Sequence, residues 1–289
     1  MFKFLLYKLG QFLVNYLPAG MAYRIARFLS DLQYTFSFRD RRAVYNNLSI
    51  ITHDSSANLK RLTRDVFRNF GIYLIEFFRM RKMVTPEFIE QRIRLHNIQY
   101  MNEVKARHRG GIFLTAHLGN WELGGAVIAS LGHKMMAVAL AHKERPVNDL
   151  FNQQREDQGI MVVPVSQAIR RCMETLKNNG LVALVGDRDF NLHGELLDFL
   201  GRKAIIPRGP AVLSLRSGAP IIPVFLTREQ DGTFDLHICE PIYPPEDKIG
   251  HDNAEAMLNM IKQYLSVIES FIRKYPDQWL MFRKFWVEE

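Results

Sequence analysis

Short apolar runs alternating with segments of helical spacing predict an α/β fold, with a central, mostly parallel mixed sheet flanked by helices. Candidate strands fall at 111–116, 135–140, 160–165 and 181–186, with helical segments at about 121–131, 147–157 and 167–178 between them. The second observation lies upstream, where the chain reads as one amphipathic helix after another as far as Pro86. The 289 residues suffice for a full core. They are read as one domain, 1–289, with a helical lead-in over 1–90 and an α/β core over 105–289.

Taken in order, Met1 to Leu17 places Phe2, Leu5, Leu6, Leu9, Phe12, Leu13, Tyr16 and Leu17 on one helical face and Lys3, Lys8, Gln11 and Asn15 on the other. A spanning helix needs about 20 mostly apolar residues, whereas two lysines interrupt this run and Pro18 ends it. No small-residue cleavage site follows a clean apolar core, so a signal peptide does not fit either. The pattern fits a helix lying in a membrane interface, its lysines towards headgroups. The alternative is a helix packed on the core. Ala19 to Tyr34 continues likewise, with Arg24 and Arg27 on the polar side. Arg39 to Leu48 is basic and polar, His53 to Asn58 a loop, and Leu59 to Arg81 a long amphipathic helix rich in Arg and Lys, closed by Pro86. Beyond the alternating region, Pro210 suits the first turn of a helix over Ala211 to Ser217. The apolar run Gly218 to Phe225 reads as a buried strand. Asp231-Gly232 is a hairpin signal that pairs it antiparallel with 234–239, and Asn253 to Lys274 is a closing amphipathic helix.

The net charge of +8, from 38 Lys and Arg against 30 Asp and Glu, points to acidic partners. Nucleic acid, anionic lipid headgroups and acidic carrier proteins all qualify. Cys172 and Cys239 form no CxxC or metal spacing, and the chain contains no P-loop, GxGxxG, HExxH or GxSxG.

Chemistry concentrates at Gly110-Gly111-Ile112-Phe113-Leu114-Thr115-Ala116-His117-Leu118-Gly119-Asn120-Trp121-Glu122. An apolar strand runs into a histidine, then into a Gly-Asn turn whose Asn120 is suited to cap the following helix. On one continuous helix His117 and Glu122 would lie about 140° apart. A turn at Gly119-Asn120 allows them to meet, the carboxylate fixing the imidazole tautomer while the other ring nitrogen takes a proton from an attacking hydroxyl. No Ser or Cys stands in a nucleophile-elbow pattern, so the nucleophile is the substrate's own hydroxyl. A second His-x4-Asp, His193 to Asp198, lies in a polar run with no strand before it and is read as a chance match. His117, His142 and Asp187 all sit just past strand ends, where ligands of such sheets gather.

The wording His117-Leu118-Gly119-Asn120-Trp121-Glu122 resembles the H-x4-D/E motif of glycerolipid-type acyltransferases, and most of all the branch that adds late acyl chains to lipid A. The resemblance runs along nearly the whole chain. It implies that Arg155, in the block Pro146 to Gly159, holds a phosphate or the developing oxyanion. It also implies that Asp187 and Asp189, in Val185 to Phe190, orient donors or sugar hydroxyls. Asp198 to Pro210 matches an acceptor-binding block whose Arg202, Lys203 and Arg208 suit an acceptor phosphate, with Asn120 also lining the site. Tyr275 to Trp286 matches the closing P-x-Q-W block, whose aromatic and basic residues also suit a membrane interface. The implied activity moves a fatty acyl chain from an acyl carrier protein thioester to a hydroxyl of a lipid A precursor, at the cytoplasmic face of an inner membrane. It needs no cofactor, metal or nucleic acid. A glycerolipid, a glycolipid or another lipid as acceptor, and acyl-coenzyme A as donor, remain open. So do two readings of other classes: a non-enzymatic binder using its basic surface, and a hydrolase with metal on Asp187 and Asp189.

Overall fold

The structure is a computed structural model describing residues 2–52, 54–189 and 194–287. Met1, His53, Phe190 to His193, Glu288 and Glu289 lie outside them, and with them the His193 half of the second His-x4-Asp pair. Four helices open the chain: α1 (Phe2–Tyr16), α2 (Ala19–Phe36), α3 (Phe38–Thr52) and α4 (Ser56–Met83). There follow α5 (Pro86–Arg92), β1 (Ile93–His96), α6 (Gln99–Ala106), β2 (Gly111–Thr115), α7 (Trp121–Ser130), β3 (Met135–Ala139), α8 (Arg145–Glu156) and β4 (Ile160–Pro164). The rest comprises α9 (Ala168–Lys177), β5 (Leu181–Val185), the hairpin β6 (Glu195–Phe199) and β7 (Arg202–Ile206), α10 (Gly209–Ser217), β8 (Ile221–Arg228), β9 (Phe234–Ile238) and α11 (Ala254–Lys274).

Seven strands form one sheet in the order β1-β9-β8-β2-β5-β3-β4. Every neighbouring pair is parallel except β8 with β9, which the Asp231-Gly232 turn joins antiparallel as its sequence predicts. The mostly parallel sheet is therefore observed. Pro86, expected to close the lead-in, instead opens α5 at its first turn, where Thr85 accepts from the Phe88 N–H at 3.2 Å. The hairpin β6–β7 and the edge strand β1 were not foreseen.

The central strand β2 is buried on both faces, which is why it reads as a continuous apolar run. Ile112 and Leu114 face α9, α10 and α11, packing with Leu213, Tyr264 and Ile268. Phe113 faces the other layer, among Phe77 of α4 and Leu123 and Val127 of α7. The long helix α4 is what joins the N-terminal helices to the sheet. Gly71 on it lets α2 approach closely, since a Cβ there would stand 2.2 Å from the Ser30 hydroxyl.

One fully buried acid fastens these parts together. Glu76 of α4 ion-pairs with Arg228 of β8, accepts from the Asn120 side-chain amide at 2.7 Å and from the Tyr23 hydroxyl at 3.3 Å. Removing one partner of a buried pair leaves the other charge uncompensated, at about 3–5 kcal/mol. Glu76→Gln is expected to cost roughly 3 kcal/mol, near the lower end of that range because Arg228 keeps 21% of its side chain exposed. Urea unfolding of the two proteins measures it.

The N-terminal helix packs one face on the core, as the second of its two readings expects. Phe4, Tyr7 and Val14 pack on the core, and Asn15 donates to the Phe78 carbonyl of α4 at 3.1 Å. The opposite face presents Leu5, Leu6, Leu9, Phe12, Leu13 and Tyr16 outward, and α2 adds Met21, Ile25, Phe28, Leu29, Leu32 and Phe36. Among the described residues no helix is long and apolar enough to cross a membrane.

Candidate active site

The turn predicted after β2 is present and is held from two directions. The Gly119 N–H donates to the Gln278 carbonyl at 3.0 Å, and the Asn120 N–H to the Leu226 carbonyl at 2.9 Å. Gly119 has φ +63°, and a Cβ there would lie 2.0 Å from the Leu226 oxygen, so only glycine fits. Asn120 caps α7 as expected, accepting from the Leu123 N–H at 3.0 Å, and Glu122 lies in the first turn.

The histidine and this acid do not pair with each other. His117 Nδ1 lies 2.8 Å from Oδ1 of Asp187, whose Oδ2 accepts the His117 backbone N–H at 3.0 Å and the Trp279 indole N–H at 2.9 Å. Register explains the pairing: Thr115 of β2 stands opposite Val185 of β5, so the residues two beyond each strand end, His117 and Asp187, face one another. Asp187 is fully buried. Burial pushes its carboxyl up, but the His117 charge and the three donated hydrogen bonds outweigh burial and hold it below the usual carboxylate value. An ionised carboxylate only accepts, so Nδ1 carries the proton and Nε2 is the basic nitrogen of the neutral ring.

Glu122 takes Arg155 instead. Arg155 Nε donates to its Oε2 at 2.9 Å and a terminal nitrogen to Oε1 at 2.7 Å, while the other terminal nitrogen reaches Asn152 at 3.2 Å. Burial draws the Arg155 guanidinium down, yet the Glu122 charge and hydrogen bonds more than compensate and raise it. Arg155 is thus held by Glu122 and Asn152 on the cavity wall. The same pairing corrects the expectation that Glu122 orients His117.

These side chains border a cavity of about 1220 Å³. His117, Trp121, Glu122, His142, Arg155, Arg188, Asp189 and Arg208 line it, and Met135, Ala137, Phe151, Ile160, Val165 and Ile169 supply an apolar wall. Trp121 stands edge-on to the His117 ring at 5.1 Å and stacks on Tyr73 at 4.5 Å. His142 does share the cavity with His117, whereas Asp187 lies behind the imidazole. Asn120 is not a lining residue, because its amide is engaged by Leu123 and Glu76. Arg202 and Lys203 also lie off the cavity, exposed on β7, with Lys203 pairing Asp198 at 3.0 Å. Trp279, read with its neighbours as suiting a membrane interface, is 2% exposed and serves Asp187. Burial lifts the Cys172 thiol to about 11 and the Cys239 thiol to about 12, so neither supplies a thiolate near neutral pH.

An imidazole on the wall of a large, mostly apolar chamber, with one ring nitrogen held by a carboxylate, is suited to deprotonating a hydroxyl beside a fatty chain. Over residues 1–288 the chain matches the family described as bacterial lipid A biosynthesis acyltransferase. It belongs to that family. The chain is 25% identical to a phosphatidylinositol mannoside acyltransferase of Mycolicibacterium smegmatis over 288 residues, 98% of this chain and 91% of that protein. With the Mycobacterium tuberculosis protein of the same name it shares 26% over 226 residues, 76% and 69% of the two chains. With lipid A biosynthesis acyltransferase 2 of Shigella flexneri it shares 23% over 249 residues, 84% and 76%. This member of the family is therefore an acyltransferase acting on lipids of the glycolipid or lipid A type. Within the family's motif its acid binds arginine, and the dyad acid comes from the turn just past β5, 70 residues downstream of the histidine.

Proposed function

We propose that the protein transfers a fatty acyl chain from a thioester to a sugar-lipid hydroxyl, with His117 as general base. His117 Nε2 takes the hydroxyl proton as the oxygen attacks the thioester carbonyl. Collapse of the tetrahedral adduct forms the ester and expels the thiolate, which recovers the proton from the imidazolium. Asp187 stays ionised and stabilises that imidazolium. The observation carrying this reading is the His117–Asp187 contact at 2.8 Å on the edge of the apolar chamber.

The donor in this reading is acyl carried by acyl carrier protein, consistent with the +8 net charge, and the acceptor is a phosphorylated lipid A precursor. A second acceptor, a mannosylated phosphoinositide, is favoured by the names of the mycobacterial relatives. Incubating the purified protein with acyl carrier protein and coenzyme A thioesters against both acceptors, with products read by mass spectrometry, decides between them. No acyl ester on either acceptor or on a glycerolipid would overturn the reading.

The outward apolar faces of α1 and α2 support a seat on an anionic membrane surface. Their exposed apolar side chains share these helices with the exposed Lys3, Lys8, Arg24 and Arg27. Fully burying a Leu or Phe contributes about 1.5–3 kcal/mol. Leu9→Lys, Phe12→Lys and Phe28→Lys together are expected to weaken binding to phosphatidylglycerol vesicles at least about tenfold. All three side chains are exposed, so the thermal midpoint stays unchanged. Undiminished flotation of the triple variant would sink the membrane seat.

A further inference from the structure

We infer that Arg188 and Arg283, with Arg208 beside them, form a phosphate-binding subsite at the lip of the His117 cavity. The ligand is a phosphate ester carried by one of the two substrates. The acyl-transfer reading enters only in naming those two sources.

Arg188, Arg208 and Arg283 all line the cavity that His117 lines, and they come from separate parts of the chain. Arg188 follows Asp187 directly beyond β5, so it leaves the same stretch of backbone that fixes the dyad acid and lines the same cavity as His117. Arg283 lies on the C-terminal strap, which the Asn47 side chain pins by donating to the Arg283 carbonyl at 2.8 Å. Burial, and next the charge of Arg283, hold the Arg188 guanidinium below its ordinary value, so the two cations repel across the lip.

Arg216 is paired with Asp252 at 3.2 Å, and Arg208 has Glu195 only at 3.9 Å. Asp189 is the further carboxylate on this lip. Among the described residues no carboxylate comes within ion-pair distance of Arg283. An anion between Arg188 and Arg283 removes their mutual repulsion and accepts from forked donors whose planar geometry suits phosphate. Gly209 and Pro210, the first turn of α10, border the same lip, and α10 has no side-chain cap, so its positive end adds to the field. Arg202 and Lys203, assigned to an acceptor phosphate on sequence grounds, lie off the cavity, and the lip cations take their place.

Titration calorimetry tests this without turnover. In one arm the probes are coenzyme A and phosphate-free pantetheine. In the other they are a phosphorylated glucosamine-disaccharide lipid in detergent and the same lipid after phosphatase treatment. The wild-type protein is expected to prefer the phosphorylated probe about tenfold or more in one arm, which names the source, since hydrogen bonds to charged groups are strong. Arg283→Gln and Arg188→Gln each abolish most of that preference and leave binding of the phosphate-free probe unchanged, while Arg283→Lys retains part. Arg283 is exposed, so its variant folds and decides the matter even if Arg188→Gln does not. No preference in either arm, or a preference that survives Arg283→Gln, overturns the subsite. Absence of acyl transfer with normal phosphate discrimination would overturn the catalytic reading alone.

Discussion

His117→Ala is expected to lower acyl transfer by about 10²–10⁴-fold, the usual contribution of a positioned general base. The loss arises because an aliphatic lipid hydroxyl is a poor nucleophile until its proton has somewhere to go. In this cavity the imidazole is the base set against a buried carboxylate. His142 also faces the chamber, but burial and then the Arg155 charge disfavour its protonated form, and its backbone N–H is tied to Asn148 at 3.1 Å. It does not substitute. The fold should survive, since the His117 side chain is 20% exposed and the turn rests on the backbone bonds of Gly119, Asn120 and Leu280. Product ester quantified by mass spectrometry, alongside a melting curve, separates lost chemistry from lost structure. A folded His117→Ala protein with wild-type transfer would refute the mechanism.

How much of this was visible in the chain follows from how local each feature is. The strand, the Gly119 turn, the Asn120 cap and the helix after it are fixed within about fifteen residues and were legible. So was the Asp231-Gly232 hairpin. The partner of His117 was not, because it depends on parallel pairing between β2 and β5. Nothing in either segment specifies that Thr115 aligns with Val185 until the sheet order is known. An acid five residues away looked closer than one seventy residues away, although the sheet reverses that order. The β6–β7 hairpin escaped for a different reason. Its turn places Leu200 at φ 52° and Gly201 at φ 89°, the geometry for which Asn-Gly is the usual signal, and leucine gives none. Glu76, Gln278 and Trp279 act through contacts among distant elements. The Gln278 side chain accepts the Arg228 N–H at 2.9 Å and donates to the Arg228 carbonyl at 2.8 Å. Its motif was recognisable while its task was not.

Asp187→Asn should therefore be nearly as damaging as His117→Ala, and Glu122→Gln should not behave like it. The Asp187 carboxylate accepts three hydrogen bonds, from the His117 ring, the His117 backbone and Trp279. An asparagine offers one oxygen and an NH₂ that only donates. If its oxygen keeps the backbone and indole donors, its NH₂ faces Nδ1, and the ring answers by moving its proton to Nε2. The nitrogen that should abstract the hydroxyl proton is then already protonated, and the imidazolium loses its counter-charge. Losses near the 10⁴ end of the range follow when a dyad carboxylate is replaced so that the tautomer is wrong. Adding His117→Ala to Asp187→Asn should cost little more, because the two act as one unit. Glu122→Gln leaves that unit intact and weakens the fork on Arg155, whose charge stays 13% exposed against a 10% exposed partner. Its expected signature is lower stability and a smaller rate loss, with the pH profile of kcat/KM unchanged in shape. Measuring the three pH profiles side by side discriminates the two acids. Should Glu122→Gln abolish the basic limb while Asp187→Asn preserves it, the carboxylate supporting His117 would be the one in the helix after all, and the dyad assigned across β2 and β5 would be wrong.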